Sequence, residues 1–263
     1  MFIIAEIGVN HNGDFTTAKK LIDAAVGAGA NAVKFQSFDP VALEPPGGGR
    51  EMLTRLHLSF DKLRKLQKYC GERIEFLCTP FDVRSLDFLV DELEITRLKI
   101  SSGGLFDDKL LRAAGKTGLP IILSTGMTTL TEIYNAYRFM KGADITLLHC
   151  NSGYPTPPED ANVSALLALK TFGCPVGLSD HTLGCVAPVL AVAYGASVIE
   201  KHFTASREQP GPDHRASMEP AEFANMVEMI LAAEKMTGDG IKRPTASEKK
   251  TIKSTAERRE WIN

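Results

Sequence analysis

The sequence predicts a single-domain α/β protein, a (β/α)8 TIM barrel, on three observations. Short apolar runs alternate with amphipathic stretches along the chain, eight of each. The 263 residues divide into units of about 33, close to the ~250 residues typical of an eight-fold barrel. An ionisable or hydroxyl residue stands at the end of almost every apolar run, where such a barrel places its chemistry.

The elements follow in order. A strand at 2–7 leads to a helix at 16–28, and a strand at 32–36 to a helix at 61–69. The strand at 74–78 pairs with the helix at 83–93, 97–101 with 108–116, and 120–124 with 130–140. The last three units are 145–150 with 163–171, 175–178 with 187–194, and 197–200 with 220–236. Runs of four to six residues rich in Val, Ile and Leu suit strands covered on both faces. A doubly wound open sheet shows the same alternation, but no GxGxxG follows the first strand and the count of eight favours closure. The barrel is expected over 1–241, with 242–263 a charged, helical C-terminal tail. The longest connection, 37–59, contains Pro45-Pro46-Gly47-Gly48-Gly49 and reads as a mobile active-site loop.

Composition narrows the function. Charged residues make up 24% and hydrophobic ones 44%, which is globular rather than disordered. A formal net charge of −2 gives no support for nucleic-acid binding. No apolar run nears the ~20 residues of a membrane span. The first segment carries Glu6 and lacks a basic start, so it does not read as a signal peptide. Five cysteines with no CxxC pair argue against a disulfide framework and for a reducing cytoplasm.

The predicted strand ends carry Glu6, Lys34, Thr79, Lys99 with Ser102, Ser124, and His149. Ser179 with His181, and Glu200 with His202, follow on the last two. Two lysines held in apolar strands point to a shared polyanion, since burying unpaired ammoniums is costly; the plainer alternative is an internal ion pair with Glu6. The turn Ser101-Ser102-Gly103-Gly104 leaves backbone N–H groups able to approach an oxyanion. His181 and His202 end adjacent strands, so their rings can meet at one metal, with Mn, Fe, Zn or Ni all suited to imidazole; two hydrogen-bonded barrel histidines are the alternative. Glu200 shares the strand parity of His202 and is expected to orient a ligand. His149 is expected to be packed or behind the ligand shell, and His57 solvated. Asp213 and His214, after the eighth strand, can reach the mouth.

Nine segments are then read together: AEIGVNHNG at 5–13, VKFQ at 33–36, CTPFD at 78–82, LKISSG at 98–103, LSTGM at 123–127, HCNSGYPTP at 149–157, GLSDHT at 177–182, IEKHF at 199–203 and GPDH at 211–214. In this order they resemble the sialic acid synthases and their relatives that make nine-carbon 2-keto acids, over nearly the whole chain. The resemblance implies condensation of phosphoenolpyruvate with the open-chain aldehyde of an N-acylated amino sugar, releasing phosphate. It implies a divalent metal, manganese or magnesium, as Lewis acid on the aldehyde oxygen. Carried over by position, Lys34, Thr79, Lys99, Ser102, Ser124 and Ser179 look like the phosphoenolpyruvate cradle, and His181 and His202 like metal ligands. Glu6, Tyr154 and Asp213 match positions holding sugar hydroxyls. Glu6, Lys34 and Lys99 are taken as the catalytic set, and Ser152 joins the substrate-binding one.

Two departures from the pattern stand out. The family has an acidic residue where this chain has Gly104, and Asp107 or Asp108 is the expected substitute. The family also continues past 242–245 into an antifreeze-like domain that supplies an arginine across a homodimer. This chain ends at Asn263 and nothing in it clearly replaces that arginine, so weak sugar affinity and slow turnover are expected, with Arg207 or Arg215 the groups that comparable sugar kinetics would point to. A Schiff-base aldolase or isomerase, and a non-catalytic sugar- or phosphate-binding relative, are the alternatives.

Overall fold

The computed structural model describes residues 1–262. Eight parallel strands are present: β1 (Phe2–Gly8), β2 (Ala32–Ser37), β3 (Glu75–Pro80), β4 (Leu98–Ile100), β5 (Ile121–Ser124), β6 (Ile145–Cys150), β7 (Val176–Asp180) and β8 (Val198–His202). They hydrogen-bond in the order β3-β2-β1-β8-β7-β6-β5-β4. β3 and β4 lie side by side and bring the two ends together, and the ladder is interrupted there, beside the three-residue β4. The sheet is a nearly closed barrel ringed by helices, as predicted.

Strand parity divides the buried side chains into two populations. Ile4, Ala32, Leu77, Ile122, Leu148 and Val198 form an apolar cluster of their own inside the barrel. Gly177 belongs to this layer by register, facing Leu148 and Val198, and a Cβ there would stand 2.6 Å from the Leu148 side chain. The opposite parity (Ile3, Ala5, Val33, Phe35, Ile121, Leu147, Ile199) packs outward against the helices in one large core. The next inward positions after the apolar floor are Glu6, Lys34, Thr79, Ser124, Cys150, Ser179 and Glu200. The floor therefore closes the barrel below, and the polar layer sits on top of it.

Helix starts are fixed by the side chains that precede them. Asp14 accepts from the Thr17 N–H before the Phe15–Gly27 helix, and Thr129 with Glu132 forms a capping box before Leu130–Phe139. The predicted helix 83–93 is split into an α-helical turn, Val83–Asp87, and a π-helical one, Phe88–Glu92. Only Leu166–Leu169 of the predicted 163–171 is α-helical, flanked by 3-10 turns. In the tail, Lys249–Ile262 is helical, and Asn263 lies outside the described residues.

The 37–59 connection is structured, which the sequence reading missed. It contains the short helices Pro40–Leu43 and Gly48–Leu56. Phe38 and Leu56 are buried with Val9, and Leu43, Met52, Leu53 and Phe81 pack on them. This small apolar cluster, separate from the main core, anchors the loop beside the mouth despite its glycine run. His57 is half-buried against the Phe38 ring rather than free in solvent.

Candidate active site

The C-terminal ends of the strands enclose a cavity of about 350 Å³. Glu6, Lys34, Thr79, Lys99, Ser102, Ser124, Ser152, Tyr154, Ser179, His181 and His202 all line it. Asp213 stands at its rim, with Oδ2 3.8 Å from His202 Nδ1. The eleven lining residues come from all eight strands or the turns after them, and the cavity brings them together.

One half of the cavity is a charge cluster. Lys34 Nζ lies 2.6 Å from Glu6 Oε2 and 3.6 Å from Glu200 Oε2, and donates to Thr79 Oγ1 at 3.0 Å. Lys99 Nζ lies 3.4 Å from Glu200 Oε1 and donates to Ser124 Oγ at 2.8 Å. Glu200 therefore sits between the two ammoniums and also accepts from Ser179 Oγ at 2.8 Å. This corrects its expected role: it is the counter-ion of the lysine pair and does not orient an imidazole. Burial raises its carboxyl, but Lys34, Lys99 and Ser179 outweigh that and hold it down at about 2. Burial pushes Glu6 up to about 7, because Lys34 only partly offsets the desolvation and Glu200 adds a like charge. Burial pulls Lys99 down from the usual lysine range, more than Glu200 restores. Lys34 is pulled down by burial too, yet Glu200 and Glu6 leave it raised.

The other half holds two imidazoles with ring centroids 5.3 Å apart. The Asn151 carbonyl can only accept, so at 2.6 Å it fixes the proton on His181 Nδ1 and leaves Nε2 to carry the lone pair of the neutral ring. His202 is buried, and its Nδ1 has no hydrogen-bond partner. Burial, with the neighbouring His181 and Lys34, keeps its pKa well below the usual imidazole range, so it is neutral. Burial lowers the pKa of His181, but Cys150 and the Asn151 carbonyl outweigh that and leave it raised; once its Nε2 gives up a proton, the two close imidazoles offer lone pairs that fit a divalent cation. Among the described residues no third His, Cys, Asp or Glu joins them as a ready-made ligand set, so water or substrate oxygen would fill the remaining positions. The Tyr154 ring lies over His181 at 4.0 Å between centroids.

Gly8, at φ +54°, turns the chain after β1. An added Cβ there would meet Glu6 Oε1 at 3.0 Å, Gln36 Nε2 at 3.2 Å and Asp213 Oδ2 at 3.5 Å, so glycine leaves room for three polar groups to converge. Gln36 donates to Glu6 Oε1 at 3.1 Å. The sequence reading gave Gln36 no role, although it stands two residues after Lys34 and so shares its inward parity. Cys150 was missed for the same reason; its Sγ lies in the cavity wall, 3.9 Å from His181 Nδ1. Phe81, Ser101 and Met127 also line the cavity.

Other expectations change on inspection. Neither Asp107 nor Asp108 reaches the cavity: Asp107 caps the Asp108–Lys116 helix through the N–H groups of Lys109 and Leu110, and Asp108 is exposed. A Cβ at Gly104 would stand 2.9 Å from Ile100 Cγ2 and 3.4 Å from Leu110 Cδ2, facing packed apolar groups. The oxyanion turn is a 3-10 turn, Gly103–Phe106, and the Ser102 hydroxyl accepts from the Gly126 N–H at 2.9 Å. Arg207 is forked onto Glu222, with both contacts at 2.8 Å. His149 faces away and bonds the Ala161 carbonyl at 2.9 Å. His214 is fully buried between Thr204 and Asn12. All five cysteines are unpaired, and no helix among the described residues is long and apolar enough to cross a membrane.

Comparison with known proteins gives the family. The N,N'-diacetyllegionaminic acid synthase of Legionella pneumophila is 44% identical over 273 residues, covering 94% of this chain and 76% of the relative. The human N-acetylneuraminate-9-phosphate synthase is 34% identical, covering 92% of this chain and 72% of that one. The crystal structure of the N-acetylneuraminic acid (sialic acid) synthetase from Leptospira borgpetersenii, in complex with citrate, superposes with a TM-score of 0.92 at 38% identity, covering 98% of this chain and 92% of that one. Residues 21–242 match the NeuB family, and the chain belongs to that family.

Proposed function

We propose that the protein condenses phosphoenolpyruvate with the open-chain aldehyde of an N-acylated amino sugar, giving a nine-carbon 2-keto sugar acid and phosphate. The observation that carries this reading is the juxtaposition, in one cavity, of a two-lysine cluster and a pair of free imidazoles. Relatives named as legionaminic acid and N-acetylneuraminate-9-phosphate synthases support the class of reaction; they differ among themselves in acceptor, so the acceptor here is an N-acylated amino sugar without a further assignment.

In this reading Lys34 and Lys99 hold the carboxylate and phosphate of phosphoenolpyruvate, with the hydroxyls of Thr79, Ser102, Ser124, Ser152 and Ser179 completing the shell. Glu200 keeps the ammoniums apart and oriented before the anion arrives. Glu6, with a pKa of about 7, can take up a proton as the trianion enters, which leaves the two lysine charges facing it. Tyr154, Asp213 and Glu6 face the sugar. His181 and His202 would hold a divalent cation, manganese or magnesium, which supplies Lewis-acid polarisation of the aldehyde oxygen. The C3 carbon of the enol forms the new bond to the aldehyde carbon, and positive charge develops at C2. Glu6 passes its proton to the aldehyde oxygen as the C–C bond forms, and its carboxylate then takes a proton from the water that adds at C2; phosphate leaves with the bridging oxygen and the C2 hydroxyl proton as the ketone forms.

The depressed Lys99 favours one competing reading, a Schiff-base aldolase, because burial is the usual way to free a lysine amine for attack on a carbonyl. Two assays separate the readings. Phosphate release should require phosphoenolpyruvate, Mn²⁺ and an N-acylated amino sugar together, screened over a panel that includes N-acetylmannosamine. Borohydride with pyruvate should trap no adduct on the protein. A trapped lysine without phosphate release would replace the synthase reading by the aldolase one.

A further inference from the structure

We infer that the buried ion pair between Lys201 and Asp180, on the outer face of the barrel, is a positioning device that sets the spacing of the His181 and His202 imidazoles. This rests on the proposed role of those imidazoles as metal ligands.

Lys201 lies between Glu200 and His202 on β8, so by strand alternation its side chain points away from the cavity, yet it is only 1% exposed. Its Nζ lies 2.5 Å from Asp180 Oδ2 and also donates to the Thr182 carbonyl. Asp180 in turn accepts from the Thr182 N–H at 2.9 Å and from the Thr182 hydroxyl at 3.1 Å. The two residues that flank His181 are thus tied to each other and to one ammonium. That ammonium belongs to the residue next to His202. Asp180 and Lys201 are also register partners in the β7–β8 ladder, so the clamp closes at the ends of the two strands that carry the imidazoles.

The remaining freedom of His181 is removed from the other side. Its carbonyl accepts from the Thr156 N–H at 2.9 Å, and its Nδ1–H is held by the Asn151 carbonyl. The turn has no slack once Lys201 is in place. As a stability element alone, a buried ion pair is a poor choice, because apolar groups of similar volume serve as well or better. A polar clamp that fixes the tautomer, height and separation of two lone pairs has a use that an apolar patch lacks.

The test uses the full chain with two variants, Lys201→Met and Asp180→Asn/Lys201→Met. The double variant leaves no buried charge unpaired and keeps an amide oxygen for the Thr182 N–H. Folding is followed by circular dichroism, phosphoenolpyruvate binding by calorimetry, Mn²⁺ affinity by calorimetric titration and site geometry by the visible absorption of bound Co²⁺. In the folded double variant we expect phosphoenolpyruvate affinity within twofold of the parent, Mn²⁺ affinity lower by about 10- to 100-fold, and an altered Co²⁺ spectrum. Unchanged Mn²⁺ affinity and an unchanged Co²⁺ spectrum in either folded variant overturn the inference. If neither variant folds, the pair is a stability element and the inference is likewise wrong. A parent protein that binds neither Mn²⁺ nor Co²⁺ refutes the metal reading itself, which is a distinct result.

Discussion

Lys99→Met removes one ammonium from the charge cluster and replaces it with an apolar side chain of similar length. In the parent, Lys99 Nζ donates to Ser124 Oγ at 2.8 Å and lies 3.4 Å from Glu200 Oε1. After the change Glu200 still has Lys34 Nζ at 3.6 Å and the Ser179 hydroxyl at 2.8 Å. Stripping a buried charge of its partner costs about 3–5 kcal/mol; with a second cation and a donor retained, the stability loss falls below that range and the variant folds. Binding responds more sharply, because the lost contact is charge-assisted and worth about 1.5–3 kcal/mol, or roughly ten- to hundredfold in Kd. Calorimetry should show that weakening for phosphoenolpyruvate and little change for Mn²⁺, whose two imidazoles are not among the contacts of Lys99. An unchanged phosphoenolpyruvate Kd in folded Lys99→Met would refute the anion-site assignment. Lys34→Arg is a poor substitute for this test, since a guanidinium can still pair with phosphate.

Three further predictions concern other parts of the site. Chelation with EDTA should abolish turnover and Mn²⁺ should restore it, while His202→Ala should stay folded and lose Mn²⁺ binding in a titration; full activity of a metal-free sample contradicts the two-imidazole assignment. Gly104→Glu should lower stability by about 1–3 kcal/mol without raising the rate, because its Cβ would stand 2.9 Å from Ile100 Cγ2; a faster enzyme of equal melting temperature would show that a carboxylate there reaches the cavity. Glu6 is held at about 7 in the folded chain against 4.5 as its ordinary value, so it binds a proton more tightly folded than unfolded. Its contribution to stability is complete below about pH 4.5 and is lost as pH rises through about 7. Urea titrations should therefore show the parent losing stability across that window and Glu6→Gln following a flatter curve; parallel curves would refute the raised carboxyl.

The barrel was legible because its strands are covered on both faces, so each reads as a short Val/Ile/Leu run. The predicted 145–150 matches Ile145–Cys150 to the residue. Strand ends were less clear where the active site begins. The sequence reading stops the seventh and eighth strands at 178 and 200, whereas β7 runs to Asp180 and β8 to His202; polar residues that belong to the site broke the apolar pattern. The same confusion hid Glu200 as a counter-ion, since parity shows that it points inward but not that two lysines from β2 and β4 arrive beside it. Gln36 and Cys150 could have been found by extending the inward parity of Lys34 and Leu148 by one step. The packed loop at 37–59 could not, because its anchoring depends on Val9 and Phe81 from other connections, and its glycines argue locally for the opposite. The Lys201–Asp180 pair also escaped, as a lysine on the outer face of a strand gives no hint in sequence that it is buried.

The central claim, that one cavity joins the enol carbon of phosphoenolpyruvate to a sugar aldehyde and releases phosphate by C–O cleavage, can be tested with a single labelled reagent. Phosphoenolpyruvate carrying ¹⁸O in the bridging position is incubated with the protein, Mn²⁺ and an acceptor that supports phosphate release, and both products are weighed by mass spectrometry. The account predicts that the label appears in inorganic phosphate and that the sugar product gains an unlabelled three-carbon 2-keto acid unit. Label retained in the carbon product, or phosphate formed with pyruvate and no new C–C bond, would contradict it.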